Sequence, residues 1–293
     1  MRIPRRTPPA VPMHGMSGRV CVVTGASAGI GFETARGLAE RGATVCIIGR
    51  NPERTAEAER RVRAAARGGE VSSMLADFES LDDVRALAAR LLERFPAIHV
   101  LVNNAGLWIT HTCLASCGIE VTILVNHVAP FLLTNLLLDR LRASAPARVV
   151  NVSSRLHIKE KTLRFDDFRA EHRYGGLAAY RQSKLANVLF SNELARRLEG
   201  SGVTSNAVHP GDVATSVVRD SKLLTLALES VGRLYLLTPE EGARTSLRVA
   251  TAPELERVTG RYFANGRETP ASKPAGDPAV ARRLWDETER IVG

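Results

Sequence analysis

The segment from Arg19 to Arg41, RVCVVTGASAGIGFETARGLAER, constrains the chain more than any other. Val20-Cys21-Val22-Val23 is an apolar run with β-branched residues and no polar alternation, the pattern of a strand buried on both faces. Gly25, Gly29 and Gly31 follow Thr24, and Ile30, Thr34 and Leu38 then recur four apart, which is helical spacing. A strand, a glycine-rich turn and a helix N-terminus together make an anion site. Main-chain N–H groups point outward there, the helix dipole is positive, and missing side chains admit a pyrophosphate. The Gly-x-x-x-Gly-x-Gly spacing is wider than the common dinucleotide fingerprint. A dinucleotide site at Gly25, Ser27, Gly29, Ile30 and Gly31 therefore needs support from the rest of the chain.

Further strands and helices alternate to the C-terminus, which predicts a single α/β domain over 17–293, a Rossmann-type doubly wound parallel sheet with helices on both faces. The opening MRIPRRTPPAVPMHGM is rich in proline and arginine and reads as a disordered tail over 1–16. It has no apolar core of a signal peptide, and no apolar run in the chain reaches the ~18 residues of a membrane span. The expectation is a cytoplasmic protein without a transmembrane segment. The net charge of +9 raises the question of nucleic acid, but arginines are spread over many helices and aromatics make up only 5%, too few for a stacking platform. No nucleic-acid partner is expected. Cys21 and Cys46 fall in predicted strands as small hydrophobes. His111, Cys113 and Cys117 lack the second half of a zinc site, so no metal is expected.

Ala43 to Gly49 is a second buried strand, reached after Gly42 closes the first helix. At such a strand's end NAD-specific folds carry an acidic residue for the ribose hydroxyls. This chain has Gly49-Arg50-Asn51 instead. No carboxylate is present there to repel a 2′-phosphate, and Arg50 can grip one in a bidentate fork, so the cofactor is read as NADP(H). Glu70 to Ala76 forms the third strand, and Asp77 and Ser80 stand where the helix Leu81 to Phe95 needs a cap. His99 to Val102 leads into Asn103-Asn104-Ala105-Gly106, a sharp turn at a strand's end. A long helix spans Val121 to Leu141 with Asn126 in an apolar setting and a kink expected at Pro130. The strand Arg148 to Val152 ends at Ser153-Ser154. Tyr180 and Lys184 lie four apart, so a helix puts phenol and ammonium on one face. A nearby cation stabilises phenolate, which predicts a lowered tyrosine pKa. After the strand Val203 to Val208, Pro210-Gly211 forces a turn. Ser221 to Leu237, half apolar, is read as part of a substrate lid over 216–237, and Thr238-Pro239-Glu240-Glu241 as a capping box.

TGASAGIG, NNAG, Ser154 and Tyr180-x-x-x-Lys184 occur in the order found in the short-chain dehydrogenase/reductase family, which the chain resembles from residue 19 to 215. Ser154 to His157, the long insertion before Tyr180, Ser183 to Asn187 and Ala281 to Trp285 resemble its retinol dehydrogenase group. The resemblance implies hydride transfer between a nicotinamide and a carbonyl or alcohol carbon of a lipophilic substrate. Tyr180 would exchange the proton, Lys184 would tune it and hold the nicotinamide ribose, Ser154 would polarise the substrate oxygen, and Asn126 would organise a water beside Lys184. Asp77 and Phe78 would hold the adenine. Asn104, Ala105 and Gly106 would line the cofactor, and Pro210, Gly211, Val213 and Thr215 the nicotinamide amide. Homo-oligomers are common among such relatives. The most apt substrate is a ketone or aldehyde of retinoid, steroid or polycyclic type. The alternative is a non-catalytic NADP(H)-sensing protein of the same fold, against which the intact Ser154, Tyr180 and Lys184 weigh.

Overall fold

A computed structural model describes residues 7–169, 175–213 and 236–293. The strands β1 (Val20–Thr24), β2 (Thr44–Gly49), β3 (Val71–Leu75), β4 (Val100–Asn103), β5 (Ala147–Val152), β6 (Val203–His209), β7 (Tyr262–Ala264) and β8 (Arg267–Glu268) form one sheet in the order β3-β2-β1-β4-β5-β6-β7-β8. All neighbours are parallel except β7 and β8, which form a short hairpin. The order reverses between β1 and β4, so a crevice opens above their carboxyl ends, where a doubly wound sheet binds its ligand.

The lack of polar alternation in β1 has a direct packing consequence. Val22 joins one core with Ile48, Leu101 and Val149. Cys21 and Val23 join the core on the other face with Ile47, Val102 and Val150. Helices α1 (Gly29–Ala39), α2 (Pro52–Ala65) and α6 (Pro239–Thr251) close that second face through Phe32, Leu38, Val62 and Leu247. Helices α3 (Leu81–Arg94), α4 (Ala129–Leu136), α5 (Gly176–Arg197) and α7 (Pro278–Val292) cover the first through Leu87, Phe131, Phe190 and Trp285. Among the described residues no helix is long and apolar enough to cross a membrane.

The predicted helix from Val121 to Leu141 is not continuous. A single turn at Val121–Ile123 widens into a π-helical stretch, Leu124–Val128, before α4, and α4 is separated at Leu137 from a short helix at Leu138–Ala143. The N–H of Ala129 reaches back five residues to the carbonyl of Leu124. Pro130 has no N–H for the carbonyl of Asn126 four residues earlier, so a regular ladder is impossible at this point. The capping box at Thr238 is present, with Glu241 N–H on the Thr238 hydroxyl at 3.2 Å and Thr238 N–H on the Glu241 carboxylate at 2.8 Å.

Residues 7–16 of the stretch read as a disordered tail lie along the molecule without helix or strand. Buried Arg41 donates to the carbonyls of Val11 and Pro12, Arg244 donates to that of Pro8, and the N–H of Met16 meets the Arg41 carbonyl at 2.7 Å. Of the lid read over 216–237, only Leu236 and Leu237 are among the described residues. Leu237 pairs with Val213, which brings the two ends of the intervening chain together.

Candidate active site

The glycine turn is shaped by close approach as much as by backbone conformation. Gly25 and Gly29 have φ of 64° and 60°, which favours residues without a side chain. Gly31 has an ordinary backbone, yet a Cβ there would lie 2.3 Å from Asn104 Nδ2 and 2.5 Å from the Gly25 carbonyl oxygen. Asn104 fills that space because its amide donates to the carbonyls of Thr24 (2.8 Å) and Gly25 (3.1 Å). The Thr24 hydroxyl accepts the N–H groups of Asn104 and Ala105, both at 3.0 Å. These bonds sew the end of β1 to the end of β4, and Thr24 is a contributor that sequence reasoning passed over. Above this seam α1 begins at Ala28 with no side-chain cap, whereas Asn51, Ser80, Thr238 and Asp277 cap α2, α3, α6 and α7. An uncapped helix start beside a cradle that no Cβ could enter fits a pyrophosphate.

A crevice of about 230 Å³ runs from Gly106 and Leu107 past Gly25 to Arg50 and Asp77. At its far end the Arg50 guanidinium lies 2.9 Å from the Glu79 carboxylate and 3.6 Å from that of Asp77. Asn51 spends its side-chain oxygen on the N–H of Arg54, capping α2. Asp77 accepts the N–H of Glu79 at 3.0 Å, while Ser80, not Asp77, caps α3. Phe78 is buried in the core and lines the crevice wall. The Arg50 ion pairs are half exposed and hence weak, of order 1 kcal/mol or less. The sequence expectation that no carboxylate stands near this position is thus corrected, since folding brings Asp77 and Glu79 to Arg50 from the loop after β3.

At the near end three hydroxyls sort themselves by partner. Ser153 is buried and donates to the Lys184 carbonyl at 2.7 Å, a bond internal to the fold. Ser154 is half-buried, accepts the Leu156 N–H at 3.2 Å and lies beside the Tyr180 phenol, where it favours the phenolate. Ser183 donates to the Tyr180 carbonyl and accepts the Asn126 amide at 3.0 Å. Asn126 also clamps the peptide of Leu107 from both sides, accepting its N–H at 2.8 Å and donating to its carbonyl at 2.9 Å. Gly106 lies between, since a Cβ on it would sit 3.2 Å from Asn126 Oδ1 and 3.4 Å from Lys184 Nζ. A row of polar side chains, Thr134, Asn103, Asn151, Ser205 and Ser191, runs beneath and fixes the ends of β4, β5 and β6.

The sequence argument for a lowered Tyr180 pKa fails in the chain alone. Burial pushes the phenol up to about 12, with the Ser154 bond pulling the other way. Lys184 Nζ is 5.5 Å from the centre of the ring and donates to the Val152 carbonyl at 3.1 Å. Burial also lowers the Lys184 ammonium to about 8. Desolvation therefore outweighs the attraction between the pair.

The Lys184 shift has a stability consequence with a definite sign. Below about pH 8 the fold carries a buried charge that the unfolded chain keeps in water, and this cost fades as the pH rises toward the ordinary 10.5. The Val152 carbonyl keeps a second donor, the Asn187 amide at 3.2 Å, when Lys184 is removed. Lys184→Met is thus expected to leave the fold as stable at pH 7 or more stable by roughly 1 kcal/mol, while abolishing activity. Thermal melts from pH 7 to 10 test this, and a large loss of stability at pH 7 contradicts it.

Comparison with known proteins settles the family. The family model for short chain dehydrogenase matches residues 19–223. The chain belongs to the short-chain dehydrogenase family. Within it, the chain falls in the retinol dehydrogenase-like group. It is 44% identical over 278 residues to human retinol dehydrogenase 12, covering 95% of this chain and 87% of that protein. It is 41% identical over 282 residues to human retinol dehydrogenase 13, covering 94% and 85%. Among solved structures, a protein from Mycobacterium paratuberculosis superposes with a TM-score of 0.76 at 32% identity over 97% of this chain and 98% of the other. The NADP complex of RhlG from Pseudomonas aeruginosa superposes with a TM-score of 0.67 at 29% identity over 86% and 96%.

As a short-chain dehydrogenase the chain is an oxidoreductase that acts on CH–OH and C=O groups with a nicotinamide cofactor. Of the residues assigned to the nicotinamide amide, Gly211 has φ of 97° and packs on Leu237, and Val213, like Ile30, lies against Gly242. Pro210 is buried at the end of β6, and Thr215 lies outside the described residues. Trp108 stands over the phenol, ring centres 6.1 Å apart. The insertion after Ser154 is pinned to α5 by buried Gln182, which donates to Glu160 and Thr162 and accepts the Arg164 N–H. Glu79 and Gln182 were not singled out in the sequence, and Ser183 only as the start of the Ser183 to Asn187 stretch. Glu79 meets Arg50, Ser183 meets Asn126 and Gln182 meets Glu160, contacts between residues remote in the chain.

Proposed function

We propose that this chain is an NADP(H)-dependent reductase of ketones or aldehydes on lipophilic substrates. The observation that carries the reading is the Ser154 hydroxyl beside the Tyr180 phenol, with Lys184 one helical turn away and its Nζ against Gly106, which lines the crevice that reaches Arg50. Reduced nicotinamide, when bound, supplies the hydride for the carbonyl carbon. The chain's residues do the remainder. Tyr180 donates its phenolic proton to the carbonyl oxygen as the C–H bond forms, and Ser154 donates a hydrogen bond to the same oxygen. A donor aimed at a developing alkoxide lowers the barrier by roughly 3 kcal/mol. Lys184 stabilises the phenolate left behind. Asn126 fixes the Leu107 backbone and Ser183, and so the wall that would hold the nicotinamide end of the cofactor.

NADP(H) is favoured over NAD(H) because Arg50 follows β2 where a selective carboxylate would stand. The RhlG complex with NADP is consistent with that choice. The names of the relatives favour a retinoid-like aldehyde or ketone, and a polycyclic or steroid ketone is the nearest variant. Following NADPH absorbance against a panel of such carbonyls tests the activity, and no oxidation with any of them contradicts it. Arg50→Ala is expected to weaken NADPH by roughly tenfold or more while changing NADH little, since one charge-assisted contact is worth ~1.5–3 kcal/mol. Equal losses for the two cofactors in titrations would remove the case for a 2′-phosphate contact.

A further inference from the structure

A neutral imidazole has one N–H and one lone pair, and its neighbours decide which nitrogen carries which. His157 lies three residues after Ser154 on the 3-10 turn Arg155–Lys159 and is fully buried. Its Nδ1 is 2.7 Å from the Ser154 carbonyl oxygen, which can only accept. Its Nε2 is 3.1 Å from the backbone nitrogen of Ser272, which can only donate. The Nδ1–H tautomer is therefore the one form that satisfies both partners. A doubly protonated ring would set an N–H against the N–H of Ser272. The ring also packs edge-on against Tyr262, centres 4.9 Å apart. One side chain thereby joins the loop after β5, strand β7 and the segment between β8 and α7.

Ser154 is held from several directions at once. Its carbonyl accepts both the backbone N–H of His157, at 3.2 Å, and the imidazole, and its hydroxyl accepts the Leu156 N–H. The Tyr180 phenol lies beside that hydroxyl. We infer that His157 is a positioning residue that acts through Ser154, tying its peptide to the Ser272 segment so that the hydroxyl meets the phenol and the substrate oxygen. The inference rests on the role proposed above for Ser154. Without the imidazole the Ser154 carbonyl keeps one local donor, the Ser272 N–H loses its acceptor, and the turn is free to pivot about the end of β5.

The test compares Ser154→Ala, His157→Phe, His157→Asn and the Ser154→Ala/His157→Phe double variant in NADPH-dependent turnover, with cofactor titration and thermal melts alongside. His157→Phe is expected to lower kcat by about tenfold to a hundredfold, the scale of an ångström-sized misplacement, with NADPH affinity nearly unchanged. His157→Asn keeps an N–H donor for the Ser154 carbonyl and is expected to recover part of the lost kcat without recovering the Tm. The double variant is expected to be no slower than Ser154→Ala alone, because both changes disable one hydroxyl. The imidazole 15N shifts of the wild-type protein are expected to show a protonated Nδ1 and an unprotonated Nε2 near neutral pH, a readout that survives if His157→Phe does not fold. Losses that multiply in the double variant, His157→Asn no faster than His157→Phe, or an Nε2-protonated ring each overturn the inference. Wild-type protein inert toward every carbonyl overturns the reductase reading and this role with it, whereas active wild type with multiplying losses overturns this role alone.

Discussion

Tyr180→Phe is expected to lower turnover by roughly 100-fold or more while leaving the fold and NADPH binding in place, the scale contributed by a positioned acid. The phenyl ring that remains keeps its packing against Trp108, 6.1 Å away. Ser154 keeps the Leu156 N–H on its hydroxyl, so the loop after β5 does not lose its local bond. Only the proton is removed. With burial raising the phenol to about 12, the group stands protonated at neutral pH. Oxidation of an alcohol requires the phenolate, so its rate should climb with pH more steeply than that of reduction. Steady-state rates together with cofactor titration check the substitution. A variant that retains more than about a tenth of wild-type turnover would show that some other group supplies the proton.

Gly31→Ala should have the largest effect on the architecture. The added methyl would meet Asn104 Nδ2 at 2.3 Å, the Gly25 carbonyl oxygen at 2.5 Å and Ala26 Cα at 3.0 Å, two of which are backbone atoms that cannot turn aside. Asn104 must then leave its bonds to Thr24 and Gly25, and the seam between β1 and β4 opens under the cofactor crevice. Overpacking together with two lost bonds costs about 3 kcal/mol or more, a fall in Tm on the order of 10 °C. Dinucleotide affinity should fall with it. Gly276→Ala is the control, because nothing lies within 4 Å of a Cβ there, and a change within about 0.5 kcal/mol is expected. Equal melting curves for the two variants would show that the close approach at Gly31 does not limit the fold.

Some features were legible because they depend on neighbours in the chain. Cys21, Val22 and Val23 had to be buried on both faces, and they divide between the two cores as an unbroken apolar run implies. The turn after β1, the end of β2 at Gly49 and the capping box at Thr238 follow from residues within one turn of helix or one strand length. The interrupted helix before α4 was only half legible. Pro130 announced a break, but the wider π turn that places Asn126 beside Leu107 and Ser183 depends on what packs around it.

The sequence by itself determined the alternation of strands and helices in a doubly wound sheet and that a phenol and an ammonium share one helix face, since these follow from periodicity, glycine spacing and the four-residue repeat of a helix. Only the tertiary structure decided that desolvation outweighs the lysine in setting the Tyr180 proton, that Asp77 and Glu79 share Arg50, and that Ser272 fixes the tautomer of a histidine 115 residues away. The physical reason is that burial and hydrogen-bond partners are supplied by segments remote in the chain, and no local pattern records which of them will arrive.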